Sequence, residues 1–318
     1  MALPNNIGDI LALTAESFSS MVSDNVTNHI PLFFFLNERG NIVEFSGGPE
    51  IDESLSYAEN GTGRFYAGYE TLDVSASETL SKAKYAIKQY NVNVVVSGLE
   101  EAQNSGPARI FDLVGQRVEV AKQTYMNDMG ASIFSDGTGS GGKELDGLQL
   151  QIADDPTTGV AGGINRATFS FWRNKLYSFA TESVTPSKTT MRDSMDVMYR
   201  RILRNSDRST VVVAGETYYG FFKAGLQDQE RFSNTRLAES GFENVMFNAT
   251  PVLFDGNCSA TRMYFLNTNS IRLRPVAGKN FVAEAPKKPV NQDAHVIPTY
   301  WYGNLVCNNM KLNGVMTA

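Results

Sequence analysis

Two cysteines and two histidines are all that 318 residues hold of the side chains most used for metal binding and nucleophilic chemistry. Cys258 and Cys307 lie far apart with no CxxC or Cys/His spacing, so neither a disulfide scaffold nor a zinc site is encoded, and a reducing compartment fits. His29 and His295 are too few for most histidine-based triads or metal centres, and structural roles are expected for both. The longest apolar run, 30–36, contains Pro31 and falls far short of the roughly 20 residues a membrane span needs. The N-terminus lacks a charged segment followed by a long apolar core, which argues against secretion. Basic residues are outnumbered, 28 Lys and Arg against 34 Asp and Glu for a net charge of −6, and no basic stripe suggests nucleic-acid readout. What remains is a globular chain, 42% hydrophobic and long enough for about two domains.

The strongest positive signal is a helix over 106–135. Ile110, Val114, Val118, Ala121, Tyr125, Met129 and Ile133 recur in steps of three or four and line one face. Ser105, Gly106 and Pro107 supply a start, and Asp136-Gly137 a stop. At about 1.5 Å per residue such a helix is a rod of about 45 Å. Its other face carries Arg109, Asp112, Gln116, Glu119, Lys122, Gln123 and Asn127, so the rod lies across a sheet with one side in water.

Before it, 1–30 reads as a polar arm with a short amphipathic helix over 9–22. Strands are expected at 32–36 and 42–45 around Asn37-Glu38-Arg39-Gly40. The segment 47–78 is acidic, with Glu50, Asp52, Glu53, Glu59, Glu70, Asp73 and Glu78 against Arg64 alone. Alternating runs at 51–58 and 64–72 flank Glu59-Asn60-Gly61-Thr62-Gly63 as a hairpin. An isolated two-stranded ribbon is marginal in water, so this one either completes its burial on another domain or molecule or is an ordinary surface hairpin. A long strand follows at 82–97. Beyond a glycine hinge at 137–142, a mixed unit is expected: a strand at 148–153, an aromatic patch at 169–177, helices at 187–204 and 216–226, and strands at 210–214, 244–254 and 263–273. The alternating stretch 295–312 returns to the sheet of the first unit.

Candidate chemistry is weak throughout. Gly137-Thr138-Gly139-Ser140-Gly141-Gly142-Lys143 has the spacing of a phosphate loop, but Glu144 replaces the hydroxyl that would meet magnesium. The run also follows a helix, where the working motif follows a strand. Asp154-Asp155 and Asp52-Glu53 lack the repeated oxygen ligands of a calcium loop. No G-x-S-x-G occurs. No catalytic residue, cofactor site or metal site is assigned.

The order of arm, acidic hairpin, long strand, long helix, glycine hinge, α/β unit and returning strand resembles the major capsid protein of tailed bacteriophages, the Hong Kong 97-like fold. Gly162-Gly163-Ile164-Asn165-Arg166, followed by Phe171-Trp172-Arg173-Asn174, is similar to a stretch in one group of such coat proteins. The resemblance implies an α+β chain with an N-terminal arm and first strand (1–36), an extended hairpin loop (37–81), a peripheral domain (82–143 with 290–318) carrying the spine helix, and an α/β axial domain (144–289). It implies a structural subunit, not an enzyme, that self-assembles as hexamers and pentamers in the host cytoplasm. The icosahedral virion capsid it builds encloses double-stranded DNA without specific binding and without a membrane. Scaffolding, portal and decoration proteins are the implied partners; with no long charged helical segment at the N-terminus, the scaffold is a separate protein or the precursor is cleaved. The expected subunit contacts are Glu50, Asp52, Glu53, Tyr57, Arg64, Phe65 and Tyr66 of the hairpin. Their basic acceptors would be Arg109, Arg117 and Lys122, or Arg200, Arg201 and Arg204. In some relatives a loop lysine joins a neighbour's asparagine; 40–81 has no lysine, so no such link is expected here. The alternatives are another virion or tail component, and a glycine-loop nucleotide-binding enzyme.

Overall fold

The computed structural model describes residues 30–103, 113–226 and 244–318. In chain order they form α1 (Pro31–Glu38), β1 (Glu50–Ser56), β2 (Leu80–Ala86), β3 (Lys88–Ser97), α2 (Leu113–Ile133), β4 (Val160–Ala161), β5 (Ile164–Asn165), β6 (Lys175–Ser178), α3 (Met191–Ile202), β7 (Val211–Ala214), α4 (Glu216–Gly225), β8 (Asn244–Phe247), β9 (Thr250–Phe254), β10 (Arg262–Leu266), β11 (Ile271–Pro275), β12 (Val282–Ala283), β13 (Ala294–Cys307) and β14 (Gly314–Thr317). The expected arm helix at 9–22 and the start of the long helix, with Arg109 and Ile110, lie outside the described residues.

The long helix is present as α2, against β3. Ala121, Tyr125, Met129 and Ile133 are buried as the periodicity requires, and Tyr125 stacks on Phe281 at 4.3 Å between ring centroids. Val118 departs from the expected stripe. It is 37% exposed, and among the described side chains of the helix the buried face begins at Ala121. Gly130 lets Ile30 approach the helix closely, since a Cβ there would stand 2.4 Å from Ile30 Cγ2.

Strand β3 pairs antiparallel with β13, Tyr90 opposite Trp301 and Val94 opposite Ile297, so the C-terminal stretch does return to the first unit. The expected single strand 82–97 is broken at Ile87: β2 pairs with β1, and β3 with β13.

Three expectations at the N-terminal side fail. The predicted strand 32–36 is helix α1. Pro31 occupies its first turn, Leu32, Phe35 and Leu36 bury at helical spacing, and Asp255 Oδ2 accepts the Leu32 N–H at 3.3 Å as a cap from 223 residues away. The predicted strand 42–45 makes only isolated bridges, Ile42 to Leu273 and Phe45 to Val276. The hairpin partner of β1 is β2 and not 64–72: Ile51 faces Tyr85 and Glu53 faces Ala83, while no strand forms from Tyr57 to Thr79. Alternation at 64–72 offers apolar groups, but nothing among the described residues covers them.

The second unit is a six-stranded mixed sheet in the order β6-β14-β10-β7-β9-β8. One face, with Val212, Ala214, Met263, Phe265 and Met316, packs on Met191, Met195, Met198 and Ile202 of α3 and Tyr218 and Phe222 of α4. The other face, with Val213, Leu253, Tyr264 and Val315, joins a larger core containing α1, the hairpin root and α2. The core is therefore continuous across the glycine-rich turn. The expected strand 148–153 is instead a helical turn, Leu148–Gln151. The strands expected at 244–254 and 263–273 are each two. Asn248 and Ala249, both with left-handed φ, turn β8 into β9, and a turn at Asn267–Ser270 separates β10 from β11.

Candidate assembly surface

The β1–β2 ribbon has one apolar face and one charged face, as alternation demands. Ile51, Leu55, Ala83 and Tyr85 are buried against the body. Tyr85 is locked there: its hydroxyl donates to Cys307 O at 2.7 Å, while Lys84 N–H donates to Gly162 O in the β4–β5 turn. On the solvent side Lys84 pairs with Glu50 and Lys82 with Asp52, each at 3.2 Å. Glu53, 7% exposed, lies 3.6 Å from Arg274 of β11. The expected acidic surface opposed by Arg64 alone is thereby corrected, because the true return strand brings two lysines across from the carboxylates. The signal was present in Lys82-Ala83-Lys84-Tyr85, whose alternation complements Glu50-Ile51-Asp52-Glu53 in antiparallel register.

Past the ribbon, the segment 57–79 projects into solvent. Tyr57 still packs on Phe171 with centroids 5.4 Å apart. Phe65 and Tyr69 are fully exposed, Tyr66, Leu72 and Val74 largely so, and Arg64 folds back on Thr71 O. Singly exposed apolar residues are ordinary, and a run of this size on one loop is not.

The basic acceptors are placed as follows. Arg117 is committed within the chain, donating to both Glu100 oxygens at 2.9 and 3.1 Å and to Val95 O at 2.6 Å. Burial pushes the Glu100 carboxyl up, yet hydrogen bonds from Arg117 and Ser97 together outweigh it and hold the group low. Lys122 is near Glu119 at 3.8 Å. Arg200 pairs with Asp196, and Arg201 with Glu182. Arg204 lines a cleft with Tyr57, Glu59, Phe171, Trp172 and Lys311, a set that sequence spacing does not assemble.

The other candidate chemistry finds local uses. Glu144 folds over the glycine-rich turn, where a Cβ on Gly139 would meet its carboxylate at 2.3 Å, so a phosphate there would face a negative charge. Asp154 pairs with Arg262, and Asp155 caps Thr157. Both cysteine thiols are buried and are pushed up to about 12 by desolvation, which keeps them protonated. Among the described residues no helix is long and apolar enough to cross a membrane.

No family model and no curated protein matches the chain. Solved structures do. A chain of the cyanophage A-1(L) capsid asymmetric unit is similar with a TM-score of 0.73 at 16% identity, covering 96% of this chain and 97% of that one. A chain of the capsid of Myoviridae phage XM1 has a TM-score of 0.60 at 12% identity, with coverage of 100% and 99%. The holo-SrpI encapsulin complex from Synechococcus elongatus PCC 7942 gives 0.61 at 9%, with coverage of 100% and 96%. From end to end, the chain has the α+β, Hong Kong 97-like fold of phage capsid shells.

Proposed function

We propose that the chain is the major capsid protein of a tailed bacteriophage, a structural subunit that assembles as hexamers and pentamers into an icosahedral shell around packaged double-stranded DNA. The observation that carries this is the end-to-end match to the A-1(L) capsid chain, which covers 96% of this chain and 97% of that one. In this reading 1–36 is the arm, 37–81 the extended loop, 82–143 with β11, β12 and β13 the peripheral domain, and 144–266 with β14, which joins the six-stranded sheet, the axial domain. Phe65, Tyr66 and Arg64 of the extended loop lie over a neighbouring subunit, where Lys122, Arg200 and Arg204 are exposed acceptors for Glu59, Glu70 and Asp73. Arg117 and Arg201 act within the subunit. Scaffolding, portal and decoration proteins complete the set of partners, and the DNA is enclosed without sequence-specific contact.

Electron microscopy of the expressed chain tests the reading. Closed shells or capsomer rings are expected; a monodisperse monomer at every concentration and with scaffold co-expressed would overturn it. The encapsulin match makes the contents of such shells informative, since particles recovered from a virion preparation should hold DNA.

A further inference from the structure

Asn-Gly occurs at 60–61 and again at 313–314, and the fold puts the same dipeptide in opposite surroundings. Asn60-Gly61 lies in 57–79, where the hairpin its sequence announces does not form and no strand ladder restrains it; both residues are exposed. Asn60 Oδ1 accepts the Thr62 N–H at 3.1 Å and the Thr62 hydroxyl at 2.8 Å. Two donors on that oxygen draw electrons from Cγ and stabilise negative charge on the oxygen, as an oxyanion hole does. With the oxygen so held, Asn60 Nδ2 and the Gly61 N–H have no partner among the described residues. Gly61 has no Cβ to keep its nitrogen away from Asn60 Cγ. Asn313-Gly314, by contrast, is locked. Asn313 is completely buried, its Oδ1 accepts the Asn267 N–H at 2.8 Å, and its Nδ2 donates to Ser270 Oγ and Asn309 O, each at 2.9 Å. Gly314 is held in β14 between Phe265 of β10 and Lys175 of β6.

We propose that Asn60 is a self-modification site, at which the backbone nitrogen of Gly61 converts the carboxamide to a carboxylate, and that the fold shields Asn313 from the same reaction. Hydroxide takes the Gly61 N–H proton and becomes water. The nitrogen attacks Asn60 Cγ, and Thr62 holds the oxyanion. The Cγ–Nδ2 bond breaks, ammonia leaves with a proton from water, hydroxide is regenerated, and a succinimide ring has closed. Water then adds to either ring carbonyl. Breaking the bond from nitrogen to Cγ gives aspartate; breaking the bond from nitrogen to the backbone carbonyl carbon gives isoaspartate. The sum consumes water and releases ammonia, with no oxidant or cofactor. Either product adds a negative charge next to Glu59, and isoaspartate also lengthens the backbone of the turn by a methylene.

Peptide mapping by tandem mass spectrometry on the full-length, purified protein, incubated at neutral and at alkaline pH, tests this. The peptide containing residue 60 should split into two products, aspartate and isoaspartate, each with an acid in place of the amide. Their share should grow with time and grow faster at alkaline pH, where hydroxide is more abundant, while the peptide containing residue 313 keeps its amide. Gly61→Ala should lose most of the conversion. Its Cβ would meet nothing within 4 Å and its backbone is not left-handed, so the fold tolerates it. A native Asn60 that stays intact while a synthetic peptide of residues 56–64 is converted would overturn the proposal. Conversion of Asn313 at the pace of Asn60, or an unchanged rate in Gly61→Ala, would overturn it as well.

Discussion

Asp255 illustrates how one residue couples two segments far apart in the chain. It is 1% exposed, accepts N–H bonds from Leu32 and Asn257, and desolvation still raises its pKa to about 6. An unfolded aspartate titrates near 3.9, so between about pH 4 and 6 the folded state binds the extra proton, and stability falls as pH rises through that window. Above pH 6 the buried charge is present in full, at a cost of up to about 3 kcal/mol for two pK units. Asp255→Asn keeps an acceptor for Leu32 and removes the charge. Denaturant titrations should find it more stable than wild type at pH 7.5, by about 1–3 kcal/mol, with the gap closing toward pH 4. A less stable variant at pH 7.5 would mean that the charged cap outweighs its desolvation.

The elements divide into those fixed by local pattern and those fixed by distant partners. Helices α3 and α4, strand β7 and the buried half of α2 were legible, because Met191, Met195, Met198 and Ile202, or Tyr125, Met129 and Ile133, repeat at the period of the structure they form. Helix α1 was not, since Leu32 to Leu36 reads equally as a short apolar strand and its cap comes from Asp255. The hairpin was found but its return strand was misplaced, because 64–72 alternates as well as 80–86 and only tertiary burial separates them. The corrected register separates two kinds of hairpin mutation. Glu53→Lys places a cation beside Arg274 in a nearly buried site and should destabilise the subunit itself by about 3–5 kcal/mol. Phe65→Ser with Tyr69→Ser, on fully exposed side chains, should leave the melting temperature of the subunit unchanged and block shell formation in light scattering. Normal shells from the double variant would show that the exposed loop is not an assembly contact.

At the scale of the whole molecule, the −6 net charge gains a different meaning from the one the acidic segment suggested. Read from sequence, unpaired carboxylates would dock on a neighbour's cations, and salt would weaken the shell. In the structure Glu50, Asp52 and Glu53 already have Lys84, Lys82 and Arg274, and Arg117 and Arg201 have Glu100 and Glu182, so these charges have partners within the subunit. Exposed pairs that remain available contribute only about 0–1 kcal/mol each. Like-charged subunits, meanwhile, repel one another over a Debye length that shrinks from about 30 Å at 0.01 M salt to about 8 Å at 0.15 M. In the proposed reading, association runs through the exposed Phe65, Tyr69 and Val74, and such apolar contact is not screened. Assembly monitored by light scattering should therefore become more favourable as salt rises across that range, with a lower threshold concentration of subunit. A threshold that rises instead would place inter-subunit ion pairs, and not the apolar loop, in control of the shell.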